Sequence, residues 1–346
     1  MKISLFDYNL PAELIAQSQT KPRDHSRLLV LDRSKAKIAH KHFYDLPKYL
    51  TANDVLVVNQ TKVFPARLYG HKKTGGKVEI LLTEKIDPSG WLALIGAKNI
   101  KIGDIIYFEP SGLQAKIIKD IDGKTKQIKF NFSAKKVEAI IDSIGHTPLP
   151  PYIKTKDSAK IKRDYQTVYA KSSGSAAAPT AGLHFTDKIL NKLKKQGVKI
   201  YKVTLHVGLG TFAPVEVDDI TAHQIHHEWA SIDKRTADSL NRLKKQGKNI
   251  IAVGTTSART LEAFSNKAGQ LKAGSKWVNI YIYPGYKYKF VDDLITNFHL
   301  PKSSLLFMVS ALAGRELVMK TYRKAIAKRY RFFSFGDAMF ITKDRL

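Results

Sequence analysis

The chain has 346 residues, 58 Lys+Arg against 30 Asp+Glu, a formal net charge of +28, and no cysteine. Two or three domains fit that length, and the missing thiols exclude disulfide scaffolds and thiolate catalysis. No apolar run approaches the roughly 20 residues of a membrane span, and Asp7 interrupts the N-terminal apolar stretch too early for a secretion signal. A cytoplasmic protein with no membrane partner is expected. The positive field points to a polyanion, RNA or DNA first. Lysine enrichment with no polyanion partner is the competing account.

In chain order, Asp54–Asn59 reads as a buried strand. From about Ala66 to Phe132 the texture changes to short β-rich runs broken by Gly, Asp and Pro. The runs are 77–82, 91–95, 104–108, 113–118 and 127–130. That spacing predicts a small antiparallel barrel or sandwich inserted into the main unit. A helix over 137–144 leads out to the stiff connector Thr147-Pro148-Leu149-Pro150-Pro151. The expected division is 66–145 for the insert, with 1–65 and 146–346 forming the main domain.

The main domain alternates helices at 187–196 and 234–246 with strands at 198–204, 250–253 and 278–283, which predicts an α/β fold with a parallel sheet. Asn191-Lys192-Leu193-Lys194-Lys195-Gln196-Gly197 echoes Asn241-Arg242-Leu243-Lys244-Lys245-Gln246-Gly247. Each segment feeds a strand, so the echo reads as successive βα units and not as a duplicated site.

The most informative loop runs from Ser172 to Phe185. It is small and nearly uncharged, contains Pro179, Gly174 and Gly182, and ends at His184. Small residues let backbone approach a ligand; a tightly packed helix entry is the bland alternative. His206 to Phe212, Gly254 to Arg259 and Thr296 to Pro301 also follow predicted strands, where α/β folds bind ligands. Thr255, Thr256 and Ser257 at a helix start suit an anion, or simply cap the helix. Arg259, one turn on, suits a carboxylate clamp or the open surface. Gly208-Leu209-Gly210 lacks the third glycine of a dinucleotide fingerprint. His223, His226, His227 and Glu228 have metal-like density without zincin spacing; an acid/base or orienting cluster and a structural polar cluster are the other readings, and no metal is expected. The stretch from Tyr322 to Phe333 interleaves cations with aromatics. It reads equally as phosphate contact with base stacking, or as a solvated basic face over a buried aromatic side.

Together these segments resemble the S-adenosylmethionine:tRNA ribosyltransferase-isomerases of queuosine biosynthesis. The resemblance rests on Tyr165–Ala170, Ala177–Phe185, Val203–Phe212 and Thr296–Pro301, with Phe6-Asp7-Tyr8, Arg27–Val30, Pro65–Leu68 and Arg331–Ser334 in support. It runs from end to end. Two departures stand out: Asn59-Gln60-Thr61-Lys62 replaces the family's usual Asn-Asp-Thr-Arg, and Ser175-Ala176 replaces its Ala-Val.

The resemblance implies a barrel-like α/β main domain with an inserted small antiparallel β-barrel. It implies S-adenosylmethionine as ribosyl donor, transferred and isomerised onto 7-aminomethyl-7-deazaguanine at the wobble position of a tRNA with a GUN anticodon. The products would be epoxyqueuosine-tRNA, adenine and methionine, and the enzyme is expected to be a monomer. On this reading His184, His206 and His299 are the base and acid candidates, in unassigned order. Gly208, Gly210, Thr255, Thr256 and Arg259 hold the donor, and His223, His226 and Glu228 orient it. Two rivals remain. A non-catalytic RNA-binding protein leaves the histidine and glycine loops unexplained; a sugar-phosphate enzyme predicts indifference to tRNA.

Overall fold

The run Asp54–Asn59 is buried at every position, and a strand apolar on both faces must be covered on both. The structure, a computed structural model, describes residues 1–155, 157–208 and 215–346. Its strands are β1 (Arg27–Asp32), β2 (Lys37–His42), β3 (Asp54–Asn59), β4 (Thr61–Val63), β5 (Arg67–Lys72), β6 (Lys77–Lys85), β7 (Gly90–Gly96), β8 (Ile105–Phe108), β9 (Leu113–Asp120), β10 (Thr125–Phe130), β11 (Ser172–Ser175), β12 (Lys199–Leu205), β13 (Glu228–Ile232), β14 (Asn249–Val253), β15 (Gly274–Val278), β16 (Asp293–Asn297) and β17 (Ala338–Thr342). Its helices are α1 (Ala134–Ile144), α2 (Ala159–Asp164), α3 (Asp187–Lys195), α4 (Lys234–Lys245), α5 (Thr255–Phe264), α6 (Ser304–Ala313) and α7 (Arg315–Ala327).

The main sheet runs in the order β15-β13-β12-β3-β14-β16-β17-β1-β2. Val55 and Val57 join Leu29 and Leu31 in one core, whereas Leu56 and Val58 join Leu28 and Val30 in the other. The sheet is therefore a middle layer between two apolar ones. Its centre is parallel, with β3 between β12 and β14, and β16 beside β14. The parallel sheet expected from the alternation is realised at the centre but not at every pair. β13 and β15 run antiparallel, as do the β16–β17 and β1–β2 pairs. At β17 the reason lies in the connection. A parallel neighbour is reached through one crossover helix, but two successive helices, α6 and α7, separate β16 from β17.

The echoed segments terminate α3 and α4 identically. Gly197 and Gly247 adopt φ of +85° and +73°. Val198 N donates to Leu193 O at 3.0 Å, and Lys248 N to Leu243 O at 3.1 Å. Each is a Schellman stop, so the repeat encodes helix ends.

Strands β5 to β10 form a closed antiparallel barrel in the order β10-β7-β6-β5-β8-β9. β5 joins the five runs expected from sequence. Residues such as Leu68, Ile80, Ala93, Phe108, Ala115 and Ile128 fill its interior, with Val137 and Ile141 of α1 packed against them.

The C-terminal stretch overturns one reading. Tyr322, Tyr330 and Phe332 are fully buried around Phe298, so these rings do not stack on bases. Arg323, Lys324, Lys328 and Arg329 remain exposed, giving a solvated basic face over an aromatic core. Beyond Val278 the extended run to Tyr283 is not strand. β15 ends the sheet with β13 as its neighbour, and Ile280, Tyr281 and Ile282 line a small chamber instead. Among the described residues no helix is long and apolar enough to cross a membrane.

Candidate active site

The uncharged loop from Ser172 to Phe185 touches two hollows. Ser173 and Gly174 line a cleft of about 1390 Å³ that also takes in barrel residues such as Trp91 and Lys124. Residues 178–181 line a pocket of about 270 Å³. Between them Ala176 N donates to Val207 O at 3.0 Å, and Val207 N donates to Ser175 Oγ at 2.8 Å. Val207 lines both hollows.

His206 stands in the cleft. Its ring stacks on Trp229, with centroids 5.1 Å apart and planes 15° from parallel. Its Nδ1 is 2.8 Å from Thr61 Oγ1, whose hydroxyl can donate onward to Ser172 O at 3.4 Å. In that arrangement Thr61 accepts Nδ1–H and the lone pair sits on Nε2. Burial lowers the imidazole to about 4 from its ordinary 6.5, so at pH 7 it is neutral with its lone pair free, though less basic than a solvated imidazole. Gln60, at the position where acidity is lost, donates instead to Thr204 Oγ1 at 3.2 Å. Asn59 positions the neighbouring backbone, donating to Leu205 O at 2.9 Å and accepting from Leu205 N and Thr61 N at 3.1 Å each.

Gly174 provides the space for that ring. Its φ is +140°, and a Cβ there would lie 2.8 Å from His206 Nε2. Gly174→Ala is expected to cut the single-turnover rate at least tenfold while costing about 1–3 kcal/mol of stability through backbone strain. An unchanged rate, measured beside the urea midpoint, would show that the imidazole tolerates displacement.

His299 lines the pocket rather than the cleft. Its Nε2 lies 2.8 Å from Thr296 Oγ1, its backbone N donates to Tyr322 Oη at 3.2 Å, and its carbonyl accepts from Tyr8 Oη. Burial holds it neutral, down to about 3.

His184 lies in neither hollow. The 3₁₀ turn Thr180–His184 carries its ring into the core, where it is 3% exposed. There it stacks on Phe43 and shares a 2.7 Å hydrogen bond between Nδ1 and Ser26 Oγ. Burial, opposed by the Asn297 side chain, lowers it to about 4. The sign of its linkage follows. Below its ordinary 6.5 the unfolded chain takes the proton that the folded ring resists. Stability is thus full above about pH 6.5 and falls towards pH 4, by up to about 3 kcal/mol from this residue. Urea midpoints across that window should fall less steeply for His184→Gln than for the parent chain; equal slopes would contradict the burial argument.

At the pocket's other wall, α5 begins without a side-chain cap, after Gly254 at φ +86°. Thr255 and Thr256 are buried and line the pocket, and Thr256 Oγ1 has no hydrogen-bond partner. The simple capping account is therefore not met: Ser257 Oγ donates back to Val253 O instead, and the uncapped helix start lines the pocket through Gly254, Thr255 and Thr256.

Glu228 links the donor-binding candidates. Its Oε1 accepts from Gly208 N at 3.1 Å, and its Oε2 accepts from Arg259 Nη1. Arg259 is 6% exposed, so it is no surface residue, and its Nε and Nη2 are unpartnered. It borders the small chamber with His226, Tyr281 and Leu305; Leu305 also lines the pocket and His226 the cleft. His223 packs edge-on against Tyr281 at 5.5 Å, and burial and His226 lower its pKa. Among the described residues no three His, Asp or Glu groups are arranged around a metal position. Gly210 lies outside the described residues. The sequence reading missed Thr61 and Trp229. Thr61 stood inside the segment marked by its departures, and Trp229 directly follows Glu228.

The chain matches the family model described as "Queuosine biosynthesis protein" over residues 3–341. It is 50% identical over 343 residues to the S-adenosylmethionine:tRNA ribosyltransferase-isomerase of Desulforamulus reducens, covering 99% of this chain and 100% of the relative. A solved structure of S-adenosylmethionine tRNA ribosyltransferase from Thermotoga maritima shares 36% identity at a TM-score of 0.57, over 98% of this chain and all of that one.

Proposed function

Because this chain belongs to the queuosine biosynthesis protein family, we propose that it transfers and isomerises the ribosyl unit of S-adenosylmethionine onto 7-aminomethyl-7-deazaguanine at the wobble position of tRNA. The products are epoxyqueuosine-tRNA, adenine and methionine. One observation carries the reading: a pocket of small-molecule size meets a far larger cleft at Val207. The donor suits the pocket, and a tRNA with a GUN anticodon suits the cleft.

The residues divide the work accordingly. The uncapped start of α5, Thr255, Thr256 and His299 hold the nucleoside. Arg259 presents its two unpartnered nitrogen atoms to the amino-acid carboxylate, while Glu228, with Gly208, fixes the guanidinium. A sulfonium acidifies the adjacent ribose carbon, and neutral His206 takes that proton. An imidazole with a pKa of about 4 is, once protonated, a strong acid and gives its proton up readily to departing adenine. His184 positions the loop from beneath. The protein acts as a cytoplasmic monomer without a metal.

Adenine release should require both S-adenosylmethionine and precursor tRNA, and should weaken steeply with salt because basic contacts release counterions. Release that ignores tRNA would sink this function.

A further inference from the structure

The chain's three tryptophans, Trp91, Trp229 and Trp277, all line the cleft. Two of them form a unit: Trp229 and Trp277 are direct partners across the antiparallel β13–β15 pair, which places their Cβ atoms roughly 5 Å apart. Trp229 carries the His206 ring on its face. Trp277 is 47% exposed, on a strand whose first four residues are all exposed. A large indole left this open at the sheet's end serves no core.

We propose that Trp277 is a stacking platform for an unpaired base of the substrate tRNA, one neighbouring the nucleotide presented to His206. The inference rests on the proposed function and adds the surface that orients the RNA. Sequence-selective RNA recognition targets loops, whose unstacked bases lie on aromatic rings while cations follow the phosphates. Cations and carboxylates both line this cleft: Lys62, Lys162 and Arg163 stand beside Glu84 and Asp142, while Glu138 is held by Lys85 at 2.6 Å, Glu228 by Arg259, and Asp122 by Thr125. The cleft thus offers an open indole for a base, with Lys62, Lys162 and Arg163 as cations for the phosphates. Since Trp277 sits one strand beyond Trp229, it reaches a base flanking the target without touching the donor pocket.

The test is Trp277→Ala and Trp277→Phe in the full-length protein, with binding to labelled precursor tRNA and separate KM values for tRNA and S-adenosylmethionine. Trp277→Ala is expected to raise the Kd and KM for tRNA roughly 5- to 150-fold. The KM for S-adenosylmethionine, the melting temperature and the salt slope of binding should stay unchanged, and Trp277→Phe should restore most of the affinity. Unchanged tRNA affinity in Trp277→Ala would overturn the proposal while leaving the function intact. So would a parent that sediments as a dimer, contrary to the expected monomer, and dissociates in Trp277→Ala, because that would assign the indole to a second copy of the chain. A parent protein that binds no tRNA would instead remove the function on which the proposal rests.

Discussion

Replacing His206 with alanine is expected to slow adenine release in a single turnover by roughly 10²- to 10⁴-fold, the usual contribution of a positioned general base. Binding of S-adenosylmethionine should change less than the rate, because the proposal gives the nucleoside to Thr255, Thr256 and His299 in the pocket, whereas His206 lines the cleft. Thr61→Val keeps the shape but removes the hydroxyl that fixes Nδ1. It should cost less, about tenfold, through a misoriented ring. The pH profile gives an independent check. The imidazole is depressed to about 4, so the acid limb of the parent rate should fall near that value and not at 6.5, and the limb should vanish in His206→Ala. An unaltered single-turnover rate would remove His206 from catalysis.

The second large effect is at Arg259. Arg259→Met should lower kcat/KM for S-adenosylmethionine by roughly 10²-fold, since charge-assisted hydrogen bonds are worth about 1.5–3 kcal/mol. It also strips the guanidinium from Glu228, a carboxylate that is 2% exposed. Breaking such a pair costs about 3–5 kcal/mol of stability, so loss of activity alone would be ambiguous. Two measurements separate the effects. The double variant Glu228→Gln with Arg259→Met leaves no lone buried charge and should recover most of the melting temperature but not the activity. Decarboxylated S-adenosylmethionine lacks the group that Arg259 is assigned to grip. The parent enzyme should therefore discriminate against it by roughly 10- to 100-fold, and the double variant should not discriminate. Equal preference in both proteins would place the carboxylate elsewhere.

Much of the fold was legible because its signals are local. Strand runs at regular spacing gave the barrel, and helix stops at Gly197 and Gly247 gave α3 and α4. The direction of β17 was not legible, since it depends on how α6 and α7 pack. The same divide applies to the site. Glu228 and Arg259 each stood out in their own segments, but only the fold brings the carboxylate onto the guanidinium. His184 looked like a loop-end imidazole until a single 3₁₀ turn rotated it against Phe43. The C-terminal aromatics carried an ambiguous pattern, because rings that bind RNA and rings that fill a core have the same spacing. Three tryptophans, far apart in sequence, share one cleft for reasons that only strand pairing supplies.

The most direct measurement is the mass of the wobble nucleoside after precursor tRNA is incubated with the protein and S-adenosylmethionine labelled in its ribose carbons. A labelled ribose-derived unit should appear on that nucleoside, with one adenine and one methionine released for each. A labelled methyl-donor product still joined to adenine, or a wobble nucleoside of unchanged mass, would contradict the account.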